Sequence, residues 1–436
     1  MEEEDLRKRC AATGHGAGRR PQRLPGIRTV ALALLAALQA NVVFANVEDD
    51  ARQCNGALRQ RNWDGAIDLC SAAIERNRLY FGNYHDRGDA YRAKGQYDKA
   101  IEDYNRAIEL SPNKYAPSLH GRGDALLRKG EVDAALDSFT QAIDTGKVEP
   151  AMFVDRAGAY LRKGQVDQAL ADYGRAIELG PRNAIAFRER GALFIRQGAY
   201  QKAIDDLSKA LVLDPKPRSY LLRGVAYDRI GLPDRAIDDY TRALDADPAY
   251  LPAYSNRGVA LIAKGSYDAA LADYNKALDL DPRAVAARIG RGVTQFAMSR
   301  FGEAAVDFRR ALQLSPYHAY APLMLYLSLE RAGRPGRNFL DDRPMSSERT
   351  KWPGPIYGVF MGDTTPEEAI DRALKDGSQE AQAELCEALF YAGQFYLLRG
   401  DKERALEALR SAAATRIPGL NEYALAEAEL GRLAAK

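Results

Sequence analysis

A chain of 436 residues exceeds what one compact core usually fills, so two domains or one elongated array are the natural arrangements. Its 46% hydrophobic and 28% charged residues are the composition of a soluble, well-folded protein. Sixty-two basic against 60 acidic side chains leave a net charge of +2, which argues against a nucleic-acid partner.

The first 45 residues read as an export signal. Arg19, Arg20, Arg23 and Arg28 precede an apolar run from Val30 to Leu38, and Val43-Phe44-Ala45 supplies small residues at a cleavage point. Gln39 and Asn41 interrupt that run, so it spans a bilayer poorly, and no stable membrane span is expected after cleavage. The acidic start, Glu2 to Asp5, keeps a non-cleaved anchor open as the other reading. No Cys follows the cut, so the usual lipid-attachment signature is missing. Removing residues 1–45 takes away seven basic and four acidic side chains and leaves a net charge of −1. The expected location is periplasmic or secreted, an oxidising setting for Cys54, Cys70 and Cys386.

From there a single period dominates. The alanine that opens a recurrent Ala-x₃-aromatic-x₂-Ala unit stands at 66, 100, 135, 169, 203, 236, 270 and 304, in steps of 33 to 35. Prolines close six units: Pro112, Pro181, Pro215, Pro248, Pro282 and Pro316. Over roughly 47–330 this closely resembles the tetratricopeptide-repeat (TPR) family. The resemblance implies an all-α fold, a right-handed TPR superhelical solenoid with a C-terminal helical extension. About eight repeats and one degenerate helix fill 46–336, a linker and short helix 337–372, and a repeat-like pair with a capping helix 373–436.

The repeating residues carry a physical reading. Gly88, Gly123, Gly191, Gly224, Gly258 and Gly292 fall inside first helices, where each costs about 1 kcal/mol relative to alanine. That recurs only if a second helix needs the space, against aromatics such as Tyr104, Phe139, Tyr240 and Phe308. Before each small residue stands an arginine (87, 122, 156, 190, 223, 257 and 291), and the second helix answers with Asp103, Asp172, Asp206, Asp239, Asp273 and Asp307. An Arg–Asp ladder of structural purpose is the economical expectation, with ligand binding as the alternative. In the first repeat Cys54 takes the glycine place and Cys70 the aromatic place. Those positions face each other in the TPR family, which implies a disulfide; two reduced core thiols are the alternative.

After Pro316 the pattern decays. Thr365-Pro366-Glu367-Glu368 is a capping box that opens a helix. The features Trp352, the stretch to Gly362, Phe390-Tyr391, Gly393, Tyr396, Gly400-Asp401 and Glu422 resemble the C-terminal half of NlpI-like bacterial TPR lipoproteins. That resemblance implies a periplasmic adaptor for proteases and cell-wall hydrolases, and a homodimer.

No catalytic constellation stands out, so no enzyme activity, cofactor or metal is expected. His85 with Asp89 and His120 with Asp124 leave a metal site as a remote alternative to polar lining. Two Arg-Gly-Asp tripeptides, beginning at Arg87 and Arg122, lie inside packed helices and carry no adhesion reading. By the TPR resemblance, one face of each first helix lines a concave groove that binds proteins or peptides. His85, Asp89, Arg92, His120 and Asp124 would form its polar end. Arg128, Arg162, Arg196 and Arg229 would form a basic middle, and Val259, Ile262, Ile289, Val293 and Phe296 an apolar end. The arginine row suits an acidic peptide or an anionic polysaccharide. Equally, an arginine near a helix C-terminus is favoured by about 0.3–1 kcal/mol with no ligand at all.

Overall fold

The computed structural model describes residues 49, 51–341, 351–375, 379–417 and 419–435. The expected signal segment, 1–45, lies outside them. Among the described residues every regular element is a helix. They form two compact units, which divide between Val148 and Glu149.

The first unit holds three helical hairpins. Helix 51–59 pairs with Trp63–Arg76, Phe81–Ala93 with Tyr97–Leu110, and Ala116–Lys129 with Val132–Asp144. The seam of the second hairpin shows why the sequence folds this way. Ala100, Tyr104 and Ala107 are fully buried, and a Cβ on Gly88 would come within 2.9 Å of the Tyr104 ring. An alanine there would force the ring out, so the glycine's helix-propensity cost purchases close approach of the two helices. Glycines 95 and 130 end the first helices with φ of +73° and +89°, a left-handed backbone that lets the chain reverse in two residues. Cys54 and Cys70 are joined in a disulfide that fastens the first hairpin.

The second unit continues the same construction. Its regular repeats are Pro150–Arg162 with Val166–Leu179, Ala184–Arg196 with Tyr200–Leu213, and Pro217–Arg229 with Pro233–Ala246. Leu251–Ala263 with Tyr267–Leu280 and Val285–Ala297 with Phe301–Leu314 complete them. Beyond come Ala321–Arg331, Asn338–Asp341, Gly354–Met361 and the helix Pro366–Leu374, which opens on the capping box formed by Thr365 and Glu368. Gln379–Leu398 and Lys402–Ala414 then form a further hairpin of repeat type. A Cβ on Gly393 would meet Leu409 at 2.7 Å, the same relation at the same 16-residue spacing as Gly88 and Tyr104.

The changes of sequence pattern near 336 and 372 do not divide this unit's core. One apolar cluster runs from Ile262 and Phe296 through Leu325, Ile356 and Phe390 to Leu425. The final helix, Asn421–Ala434, packs on Lys402–Ala414 and Gln379–Leu398, and also on Leu251–Ala263 and Val285–Ala297.

Candidate partner-binding face

The ladder arginines are consumed by structure. Within six hairpins one guanidinium forks onto one carboxylate 16 residues on. Arg87 reaches Asp103 at 2.8 and 2.8 Å, Arg190 reaches Asp206 at 2.7 and 3.0 Å, and Arg257 reaches Asp273 at 2.7 and 2.7 Å. A third donor points to the preceding repeat: Arg87 to Ser71 at 3.0 Å, Arg223 to Ser208 at 3.0 Å and Arg257 to Thr241 at 2.9 Å. Arg87, Arg223 and Arg257 therefore each tie three helices together. The acids are nearly sealed from solvent, and the bidentate geometry satisfies the buried charge. Ser138 stands where six other repeats have aspartate, so Arg122 meets Ser138 at 3.1 Å and Asn105 at 2.9 Å instead. The hydroxyl and amide partners were missed in the sequence. Their signal is a Ser, Thr or Asn directly after the seam position, as at Ser71, Asn105, Ser208, Thr241 and Asn275.

In the first unit the polar residues 85 to 128 converge. Tyr104 projects through the gap left by Gly88, and its hydroxyl donates to Asp89 at 2.6 Å. Arg92 donates to Tyr104 at 3.1 Å, to Asp89 at 3.3 Å and to Asp124 at 2.8 Å. Arg128 returns to Asp124 at 3.1 Å. His85 sits 3.1 Å from the Ser118 hydroxyl and edge-on to Tyr115, and burial lowers its pKa despite Asp89 nearby. His120 lies against the Phe139 ring. Among the described residues no group of three or more His, Cys, Asp or Glu could hold a metal ion.

A cleft of about 470 Å³ opens beside this network, lined by Asn55, Arg59, His85, Asp86, Asp89 and Arg92 among others. Burial pushes the Asp86 carboxyl up to about 6, against a hydrogen bond from Asn55. Asn55, Arg59 and Asp86 were not anticipated. Asn55 was legible, because it stands one 34-residue period before Asp89.

In the second unit Arg162, Arg196 and Arg229 occupy the last turns of successive first helices, and all three are exposed. Asp228 neighbours Arg229, and burial raises its carboxyl to about 6. These helices pack chiefly against their neighbours in the array.

The apolar end differs from the open groove expected of it. Ile262, Val293 and Phe296 are buried in the cluster that contains Leu425 of the last helix, with Ile289 packed at its edge and Val259 half-buried. The chain covers this surface with its own C-terminal helix, because five apolar side chains on adjacent helices are costly to leave in water.

Behind that helix lies a set of carboxyls. Glu387 accepts hydrogen bonds from Tyr320 at 2.8 Å and from the Trp352 indole at 2.5 Å. Burial, with Glu387 nearby, pushes Glu422 up to about 8. Burial also pushes the Cys386 thiol up to about 12, as befits an inert core cysteine.

Family models described as tetratricopeptide repeat match residues 83–146, 154–217, 217–250, 252–283 and 387–415. The chain is a tetratricopeptide-repeat protein. The last match falls on the Gly393–Leu409 hairpin, which follows Gly292 and Phe308 by three further periods. A stretch of 61 residues is 33% identical to the DnaJ homolog subfamily C member 3 homolog of Dictyostelium discoideum. It covers 14% of this chain and spans only 12% of that relative's length. Similar solved structures include YrrB, described as a TPR protein with an unusual peptide-binding site. It is 22% identical with a TM-score of 0.37 and covers 43% of this chain and 97% of its own. A tetratricopeptide-repeat protein from Parabacteroides merdae is 23% identical with a TM-score of 0.45, covering 57% and 98%. TPR arrays are protein-interaction scaffolds, and this chain carries that architecture. No described helix is long and apolar enough to cross a membrane.

Proposed function

We propose that this TPR protein is an adaptor of the bacterial cell envelope that presents clients to a partner such as a protease or cell-wall hydrolase. The observation that carries this reading is the division of its arginines. Six ladder arginines are locked onto aspartates, whereas Arg196 and Arg229 stand exposed one repeat apart in the last turns of first helices, positions that the TPR resemblance implies as groove-lining. The disulfide between Cys54 and Cys70 and the signal-like N-terminus support an exported, oxidising location. The C-terminal likeness to NlpI-like lipoproteins supports the adaptor role and a homodimer.

The test is affinity capture from envelope extract, with the full chain and a variant carrying R162E, R196E and R229E as baits. One protease or hydrolase retained by the first bait and lost by the second is the expected result. Retention of no protein by either bait defeats the adaptor reading. The exposed arginines also favour a second reading, a binding module for acidic peptides or anionic polysaccharide. Under that reading affinity for such a ligand falls steeply with salt and with the same charge reversals.

A further inference from the structure

The last helix packs on the hairpin that precedes it and on two much earlier helices of the array. It packs on the first helices of the seventh and eighth repeats, Leu251–Ala263 and Val285–Ala297, and its contacts there are specific. Glu429 is 1% exposed, accepts from Arg331 at 2.8 Å and is ion-paired with Arg432 at 2.7 Å. Arg432 also donates to the carbonyls of Phe296 at 3.4 Å and Ala297 at 2.9 Å, which end the first helix of the eighth repeat. A cation is favoured at that terminus. The guanidiniums of Arg331 and Arg432 both lie over the Phe301 ring, 4.6 and 5.4 Å from its centre. Leu425 is buried in the same apolar cluster as Ile262, Val293 and Phe296. Leu425, Glu429 and Arg432 are spaced i, i+4 and i+7, so one helical face delivers all three.

We propose that the first helices of the seventh and eighth repeats form a helix-binding site, that the chain's own last helix is its resident occupant, and that its partner in trans is an amphipathic helix bearing leucine, glutamate and arginine at i, i+4 and i+7. The apolar side chains of the site supply affinity. Arg331 reads the glutamate, and the carbonyl end of Val285–Ala297 reads the arginine. While the last helix is seated the site is closed, and client docking is confined to the earlier repeats. The site goes beyond the adaptor reading and does not depend on the exposed arginines.

A fluorescent peptide of residues 419–436, titrated against the full chain, tests this by anisotropy. In wild type the resident helix competes at high effective concentration, so binding is weak. In full-length E429R the resident helix faces Arg331 with a like charge, and the peptide should bind at least tenfold more tightly. Hydrogen exchange of amides 421–434 reports whether the resident helix has been released, and full-length L425D/E429R provides a stronger release. Peptide affinity no better than wild type in a variant whose own helix has exchanged freely overturns the proposal. So does a helix that stays protected in both variants, since a segment that never leaves is fixed structure and not an occupant. R196E/R229E should leave peptide affinity unchanged, which separates this site from the client-binding reading.

Discussion

Arg156 holds Asp172 across one hairpin seam with two parallel hydrogen bonds of 2.7 and 2.8 Å, and both side chains are almost fully buried. The same fork recurs at Arg87, Arg190, Arg223, Arg257 and Arg291. A buried ion pair of this kind gives little net stability over an apolar pair, but breaking it strands a charge.

Asp172→Ala should therefore destabilise the second unit by about 3–5 kcal/mol, read as a lower denaturant midpoint. Arg156→Met combined with Asp172→Leu should recover most of that loss. A double variant no better than the single would show that the pair itself supplies the stability.

The missing rung gives the converse expectation. Ser138→Asp places a carboxylate opposite Arg122, as in six other repeats, and should stabilise the first unit by about 1–2 kcal/mol. Thermal denaturation against wild type checks it. An unchanged or lower melting temperature would mean that Asn105 already satisfies this arginine.

Two glycine substitutions should differ in sign. A Cβ on Gly224 would come 2.6 Å from Tyr240, so Gly224→Ala should cost about 1–3 kcal/mol through overpacking. Gly158 has open space around its Cβ position, and Gly158→Ala should gain about 0.4–1 kcal/mol by restricting the unfolded chain. Equilibrium unfolding of both variants makes the comparison.

Stability should fall as pH rises through neutrality. Glu422 holds its proton in the fold up to about 8, whereas the unfolded chain releases it near 4.5. Between those values the native state binds the extra proton, so alkali favours unfolding and the slope vanishes on either side. Asp86 and Asp228, raised to about 6, add the same sign between 3.8 and 6. Glu422→Gln should flatten the fall between pH 6 and 8 and raise the pH 8 melting temperature by about 5 °C. A slope unchanged by this substitution would assign the effect elsewhere.

The repeat itself was legible because its physics is local. From the second hairpin on, a small residue must face a bulky one 16 residues further along, so seam, turn and ladder all appear as a period near 34 residues. The polar network around Arg92 was only half legible: its members share first-helix positions, but nothing in their spacing shows that Tyr104 reaches through a glycine gap to join them. The fate of the apolar residues from Val259 to Phe296 lay outside any local pattern. Their sequence marks a surface that avoids water, and an external partner or a distant segment of the chain would cover it equally well. Only the folded path of residues 321–434, which returns Leu425 and Arg432 to helices more than a hundred residues earlier, decided between them. Local periodicity determines what each repeat must be, whereas long-range packing decides which of its faces remains free.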